Sequence, residues 1–143
     1  MEVIERLVAD RSDRPATEQI SLIAERFMFL KRRWRGVAED GTEFGFDLDS
    51  RLHHGCVFYR NDVADYVIWQ QEELVYQVAF ESADFAALAG WKIGNLHFPV
   101  QIMERCLRVT HDPAILQLFE RENWPYEEVA VVFNPLRVMP HAS

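Results

Sequence analysis

The stretch LVYQVAFESADFAALAGWKIGNLHFPVQI, residues 74–102, decides the fold of the C-terminal half of this chain. Apolar residues alternate with polar or small ones at both of its ends, which predicts two half-buried strands: Tyr76, Val78 and Phe80, then Phe98, Val100 and Ile102. Between them apolar residues recur at helical spacing: Phe85, Leu88, Ala89 and Ile93. Ser82 can cap this helix by accepting a free backbone N–H, and Gly94 suits the left-handed residue that ends one.

A strand, a helix and a strand follow downstream. Leu107 and Val109 alternate as a strand, and Asp112-Pro113 is a typical helix start, with a carboxylate cap before a proline. The predicted buried face of that helix comprises Ile115, Leu118 and Phe119. Residues 129–133 predict the last strand, which Asn134-Pro135 ends. The order β-α-β-β-α-β is that of the ferredoxin-like split motif, which places this strand at a sheet edge. Since the strand is apolar on both faces, we expect the N-terminal half or a second subunit to cover it.

The N-terminal half predicts mainly strands. Asp40-Gly41 is typical of a tight two-residue hairpin turn, and apolar residues alternate on both sides of it: Trp34, Gly36 and Ala38, then Phe44, Phe46 and Leu48. A further turn and strand are predicted within residues 52–59. Residues 20–30 are ambiguous, because their apolar residues also fit helical spacing. A change in composition places a boundary near residue 73. We therefore predict an α+β protein with a β-rich domain (1–73) and a ferredoxin-like domain (74–143).

Composition excludes several classes of protein. The 143 residues are 49% hydrophobic, which is enough for a packed core, and the net charge of -8 argues against nucleic-acid binding. The basic stretch Lys31-Arg32-Arg33-Trp34-Arg35 is the local exception, and we interpret it as a solvated strand face or a partner-docking patch. No apolar run approaches the ~18 residues of a membrane helix, and no signal peptide is visible. We expect a cytoplasmic protein whose two cysteines, Cys56 and Cys106, are reduced, buried and inert.

The histidines are the candidate ligands. His97 lies in a predicted turn, where it is either a functional residue or an exposed surface residue without a role. His111 follows 14 positions later, one hairpin away, so both histidines can lie at the same end of the sheet. Alternatively, His111 is only a solvent-exposed residue at the start of a helix. His53 and His54 are adjacent and would point to opposite faces of a strand.

The sequence shows no assembled catalytic site. There is no glycine-rich phosphate loop, no GxSxG and no HExxH. Cys106 and His111 would face opposite sides of one strand, so they do not make a nucleophile and its base. We predict that the protein is not an enzyme.

The segment Gly94-Asn95-Leu96-His97-Phe98-Pro99-Val100-Gln101-Ile102 resembles the GN-x-H-x-P-(V/L)-Q-I segment of the urease accessory protein UreE family. The similarity continues through residues 107–112 and 115–118. Upstream, three weaker stretches occur in the order the family has them: Arg33-Trp34-Arg35, Asp40 to Gly45, and Leu52 to Val57. The resemblance covers roughly residues 20–133.

This resemblance implies a homodimeric nickel metallochaperone with a β-rich N-terminal domain and a ferredoxin-like C-terminal domain. It implies strand pairing within residues 20–30 and places His97 at the dimer axis, so that His97 of both subunits shares one Ni(II). Zn(II) or Cu(II) can substitute there. The implied partners are the urease apoprotein and its accessory proteins, including the GTPase.

Two departures limit the ligand set. Pro113 stands where some relatives have a second histidine, and the tail holds only His141. We predict His97 as the main metal ligand, with His111 and His141 as further candidates. The alternative is a metal-independent dimeric scaffold that docks another maturation factor.

Overall fold

The computed structural model describes residues 1–136. The chain divides into two compact units, Met1–Gln71 and Glu72–Ser143. The described residues form ten strands, two α-helices and two short 3-10 helices, a mixed fold that is rich in strand. Neither α-helix in this range is long and apolar enough to span a bilayer.

The N-terminal unit consists of two three-stranded sheets. In chain order its strands are β1 (Glu2–Ile4), β2 (Gln19–Ala24), β3 (Arg33–Val37), β4 (Glu43–Asp47), β5 (Val57–Arg60) and β6 (Asp65–Gln70). The sheet orders are β1-β4-β3 and β2-β6-β5. Aromatic side chains fill the core through edge-on contacts, such as Phe44 against Phe58 with centroids 5.0 Å apart.

Residues 20–30 do not form the helix that their spacing allowed. Residues 19–24 form β2, which pairs in parallel with all of β6, and residues 26–30 form a short 3-10 helix. The helical spacing was misleading because Ile23, Phe27 and Leu30 are exposed, whereas Leu22 is buried. The strand implied by the resemblance is therefore present for the first part of this range.

The first hairpin has a three-residue loop rather than the expected two-residue turn. The Ala38 N–H donates to the Thr42 carbonyl (2.9 Å), and of Asp40-Gly41 only Gly41 has a positive φ, +87°. The Asp40 carboxylate instead accepts the Thr42 N–H (3.0 Å), which is an Asx turn, and the Tyr66 hydroxyl (2.6 Å). These bonds fix Asp40 outside the left-handed region.

The C-terminal unit has the predicted order of elements. These are β7 (Glu73–Ala79), α1 (Ala83–Gly94), β8 (Val100–Ile102), β9 (Cys106–Thr110), α2 (Pro113–Glu122) and β10 (Glu127–Val131). The sheet order is β10-β7-β9-β8, antiparallel throughout. Both predicted caps are confirmed: the Ser82 hydroxyl accepts the Phe85 N–H (3.1 Å), and the Asp112 carboxylate accepts the Ala114 N–H (2.9 Å).

Three details of this unit differ from the expectations. Gly94 is the last helical residue and does not have a positive φ; the turn reaches the left-handed region only at His97. Leu88 is 42% exposed and does not share the buried face. The last strand begins and ends two residues earlier than expected, and within it Val129 pairs with Val75 near the start of β7. Phe133 lies beyond the end of the strand and is buried.

The cysteines are both free. Cys56 is fully buried, and burial raises the pKa of its thiol, as expected for an inert core residue. Cys106 is only half-buried, so the expectation of burial is wrong for it; it lies 3.8 Å from the Met103 sulfur at the β8–β9 turn.

Candidate metal centre

The turn after α1 presents His97 to solvent. Asn95, Leu96 and His97 each donate their N–H to a carbonyl of the last helical turn, which tightens the chain as it leaves the helix. His97 is exposed, whereas the residues on either side of it, Leu96 and Phe98, pack against the core. Two apolar anchors therefore hold the backbone, and the imidazole between them points away from the unit.

The backbone of His97 is in an unfavourable region. Its φ is +61°, and only one other non-glycine residue within 1–136, Asn123 at the end of α2, also has a positive φ. This conformation costs a residue with a β-carbon about 1–2 kcal/mol, and glycine avoids that cost. Histidine thus occupies a position at which the local backbone favours glycine.

His97 and His111 lie at the same end of the C-terminal sheet. The chain enters β8 at Val100 three residues after His97, and it leaves β9 at Thr110 just before His111. These strands are antiparallel, with Val100 opposite Val109. The antiparallel pairing thus places both histidines at the same end of the sheet, as their spacing allows.

The His111 imidazole already has two partners. Its ring stacks on Tyr76 with centroids 4.4 Å apart and planes at 21°, and its Nε2 lies 3.2 Å from Oε1 of Glu128. Tyr76 is in turn packed edge-on against Tyr126, at 5.4 Å. Burial, followed by the charge of Glu128, raises the pKa of the Tyr76 hydroxyl. Sequence reasoning missed Glu128, because its position opposite Tyr76 depends on the register of β10 against β7.

Two further histidines have partners of their own. His53 and His54 lie in the turn before β5, in the N-terminal unit, rather than on a strand. His53 Nε2 is 3.1 Å from Asp10, and His54 Nδ1 accepts the Gln70 N–H at 2.9 Å. His141 lies outside the described residues. Within residues 1–136, no group of three or more His, Cys, Asp or Glu side chains is placed to hold a metal.

The outer face of α1 is apolar and open. Trp91 is 65% exposed and Leu88 is 42% exposed, one helical turn apart. Gly90 and Gly94 lie beside them, and a β-carbon added at either glycine would meet no atom within 4 Å. This face ends at the His97 turn. The sequence predicted Leu88 on the buried face and did not single out Trp91, because exposure depends on packing that the sequence does not show.

The basic stretch lies partly on β3 in the N-terminal unit. Asp47 lies within 3.3 Å of Arg32 and 3.2 Å of Arg33, and all three side chains are well exposed. Arg33 and Arg35 flank a shallow depression of about 350 Å³ whose floor includes Gly45. The structure therefore places these cations at the surface, as both sequence interpretations require.

Comparison with known proteins identifies similar chains. Residues 73–142 match the family model described as UreE urease accessory protein, C-terminal domain. A protein named urease accessory protein UreE from Bacillus cereus is 29% identical over 119 residues, covering 81% of this chain and 77% of that protein. The protein of that name from Beijerinckia indica is 27% identical over 123 residues, covering 85% and 70% respectively. That from Azorhizobium caulinodans is 27% identical over 109 residues, covering 75% and 52%.

Proposed function

This chain belongs to the UreE family of urease accessory proteins, and from that premise we propose that it is a carrier of Ni(II) for urease maturation. Nickel is held between two copies of the chain by His97 of each. The protein acts in the cytoplasm as a homodimer, without catalysis of its own. Its partners are the urease apoprotein and the accessory proteins that assemble on it, including the GTPase.

The observation that carries this proposal is the conformation of His97. An exposed imidazole sits on a left-handed backbone between two packed apolar residues. Strain of this kind supports a hypothesis of function, since neither packing nor a turn explains the choice of histidine over glycine. The fixed backbone also limits the positions from which the ring can reach a metal.

A second copy is needed to complete the centre. No group of three ligands is assembled within residues 1–136, and a two-fold axis doubles whatever residue lies beside it. Two imidazoles on such an axis would provide two nitrogen ligands that suit Ni(II). The remaining coordination positions stay open, which favours release to an acceptor over permanent storage.

The α1 face supplies a surface for that second copy. Trp91 and Leu88 expose apolar area that is favourable to bury, and the open glycines allow close approach of another helix. Because His97 follows directly after this face, a two-fold contact through α1 would bring both His97 turns toward the axis.

The element order and the strand order β10-β7-β9-β8 support a ferredoxin-like assignment for residues 74–143. In our proposal this domain binds metal and dimerises. The β-rich domain, residues 1–73, docks a partner, and its exposed cations at β3 suit an acidic surface. His111 and His141 act as secondary nickel ligands.

Nickel titration combined with light scattering tests the proposal. The wild type should be a dimer that binds one tight Ni(II) per dimer, and His97→Ala should lose that tight site while staying dimeric. His53→Ala is the matched control, since it removes an exposed histidine from the other unit. Zn(II) or Cu(II) should compete, Cu(II) the more strongly. Tight binding that survives in His97→Ala would exclude His97 as the shared ligand, and a dimer that binds no metal at all would favour the scaffold alternative.

A further inference from the structure

We propose that Met103 and Cys106 bind a Cu(I) ion between their two sulfur atoms, at a site separate from the histidine centre. The Cys106 Sγ and the Met103 Sδ are 3.8 Å apart. Cys106 is a free cysteine and is half-buried, and Met103 is 37% exposed. Both ligands belong to one chain, so the site needs neither a second copy nor nickel.

The turn between β8 and β9 holds the two side chains together. Ile102 pairs with Leu107 at the end of the ladder, so Met103 and Cys106 are the next residues to face each other. The Met103 N–H donates to the Cys106 carbonyl (2.9 Å), which closes a turn with only two residues between them. Side chains that face each other across an antiparallel pair lie on the same face of the sheet. The backbone therefore brings the two sulfurs together before an ion binds, which lowers the entropy cost of binding.

The turn is anchored to the neighbouring strand and is open to solvent. The Phe80 N–H donates to the Arg105 carbonyl (2.9 Å), which ties the turn to the end of β7. Cys106 pairs with Ala79 in the β7–β9 ladder. Ala79 is exposed and its side chain ends at the β-carbon, so an ion in solution can reach the Cys106 sulfur.

The spacing and the chemistry of the two sulfurs select the metal. A thiolate binds a metal such as Zn(II) at about 2.3 Å. An ion at that distance from both sulfurs, which are 3.8 Å apart, makes an angle of about 110° with them. The right angles of a square-planar Ni(II) site would need the sulfurs about 3.3 Å apart. A thiolate paired with a thioether is a soft ligand set, which favours Cu(I) over harder ions.

The binding step exchanges a proton for the ion. Cu(I) bonds to the Cys106 thiolate, and the thiol proton is released to water. The Met103 thioether donates a lone pair without losing a proton, and copper stays in the same oxidation state. Two protein ligands leave at least one coordination position for water or a soluble thiol, so the ion can be exchanged.

The sulfur pair lies away from the candidate metal centre. His97 precedes β8 and His111 follows β9, whereas Met103 and Cys106 flank the turn that joins these strands at their other ends. The four residue steps from Cys106 to Thr110 span about 13 Å of strand. Soft sulfur ligands suit Cu(I) and imidazoles suit Ni(II). The chain can therefore hold the two ions apart by ligand type.

Anaerobic titration of the full chain with Cu(I), in competition with a chromogenic Cu(I) chelator, tests the site. We expect one Cu(I) per chain in the wild type and in His97→Ala. Cys106→Ser should abolish this binding, and Met103→Leu, which keeps the size but removes the thioether, should weaken it at least about tenfold. Met28→Leu is the control, because this methionine packs against the core of the N-terminal unit, and it should leave binding unchanged. Thermal melts confirm that each variant is folded.

X-ray absorption of the copper-loaded His97→Ala variant identifies the ligand atoms. We expect two sulfur neighbours at about 2.3 Å. Copper surrounded only by nitrogen and oxygen would overturn the proposal, as would Cu(I) affinity that Cys106→Ser or Met103→Leu leaves unchanged. Failure of the nickel proposal has a different readout, since wild type and His97→Ala would then bind Ni(II) equally whatever the result with Cu(I).

Discussion

The backbone N–H of Leu136 donates a 2.7 Å hydrogen bond to the carbonyl oxygen of Val100, which joins the last described residue to the strand that follows His97. Because β10 and β8 are the two edges of the sheet, residues 132–136 must cross it. Three strand spacings amount to about 14 Å, and five extended residues reach about 17 Å. The crossing is therefore nearly fully extended, and Phe133 is completely buried along it.

Replacing Phe133 with alanine should destabilise the C-terminal unit. The side chain is fully buried, and truncation of a buried phenylalanine removes about 3–5 kcal/mol of unfolding free energy. Chemical denaturation measures the change. Leu136→Ala is the control, because this side chain is 59% exposed and its hydrogen bond is made by the backbone. Equal effects of the two substitutions would show that Phe133 does not hold the crossing segment.

The crossing segment also bears on His141. Leu136 is hydrogen-bonded to Val100, which follows His97 by three residues. His141 lies five positions after Leu136 in the sequence, and five residues span at most about 17 Å. We expect His141→Ala to weaken nickel binding by less than about tenfold, because in our proposal the two His97 side chains hold the ion. Calorimetry beside His97→Ala gives the comparison, and a loss as large as that of His97→Ala would make His141 a primary ligand.

The strain at His97 predicts opposite effects on stability and on metal binding. His97→Gly should raise the unfolding free energy by about 0.5–1 kcal/mol relative to His97→Ala, since glycine accepts a φ of +61° without a steric penalty. Both variants should lose the tight nickel site. Parallel denaturation and titration check this. A glycine variant less stable than the alanine variant would show that the left-handed backbone is not strained.

Asp65 should make the N-terminal unit sensitive to acid. It is completely buried, accepts two hydrogen bonds from Arg60 (2.7 and 3.0 Å) and one from the Ser12 hydroxyl (2.7 Å), and these bonds lower the pKa of its carboxyl. Because the pKa of this carboxyl is lower in the folded state than in the unfolded state, the ionised carboxylate stabilises the fold above the unfolded pKa of about 3.9. This stabilisation is lost as the pH falls through the folded-state pKa.

Asp65→Asn should therefore lower the denaturation midpoint of the N-terminal unit at pH 7 and flatten its pH dependence below about pH 4. Asp47→Asn is the control, because that carboxylate pairs with exposed arginines and surface pairs contribute little. If the denaturation midpoint of Asp65→Asn falls at low pH as steeply as that of the wild type, other carboxylates control the acid sensitivity.

Local features of this fold were readable from the sequence, and long-range ones were not. Ser82 and Asp112 could be identified as caps because each bonds a backbone N–H two or three residues away. The spacing in residues 20–30 was ambiguous because the outcome depends on pairing with β6, more than 40 residues later. Glu128 meets His111 through the register of β10, which no local pattern encodes.

The same reasoning applies to the outer surface of α1, whose exposure depends on packing and was not predicted from the sequence. Trp91 is 65% exposed beside two open glycines. Placing a charge there would leave it desolvated within a helix–helix contact, which is strongly unfavourable. Trp91→Glu should therefore yield a monomer that has lost the tight nickel site although His97 is intact.

Light scattering and nickel titration of Trp91→Glu test this, with Val63→Glu as the control, since Val63 is 74% exposed in the other unit. The control should remain dimeric and keep its nickel. A Trp91→Glu dimer with undiminished nickel affinity would exclude α1 as the contact that brings the two His97 side chains together.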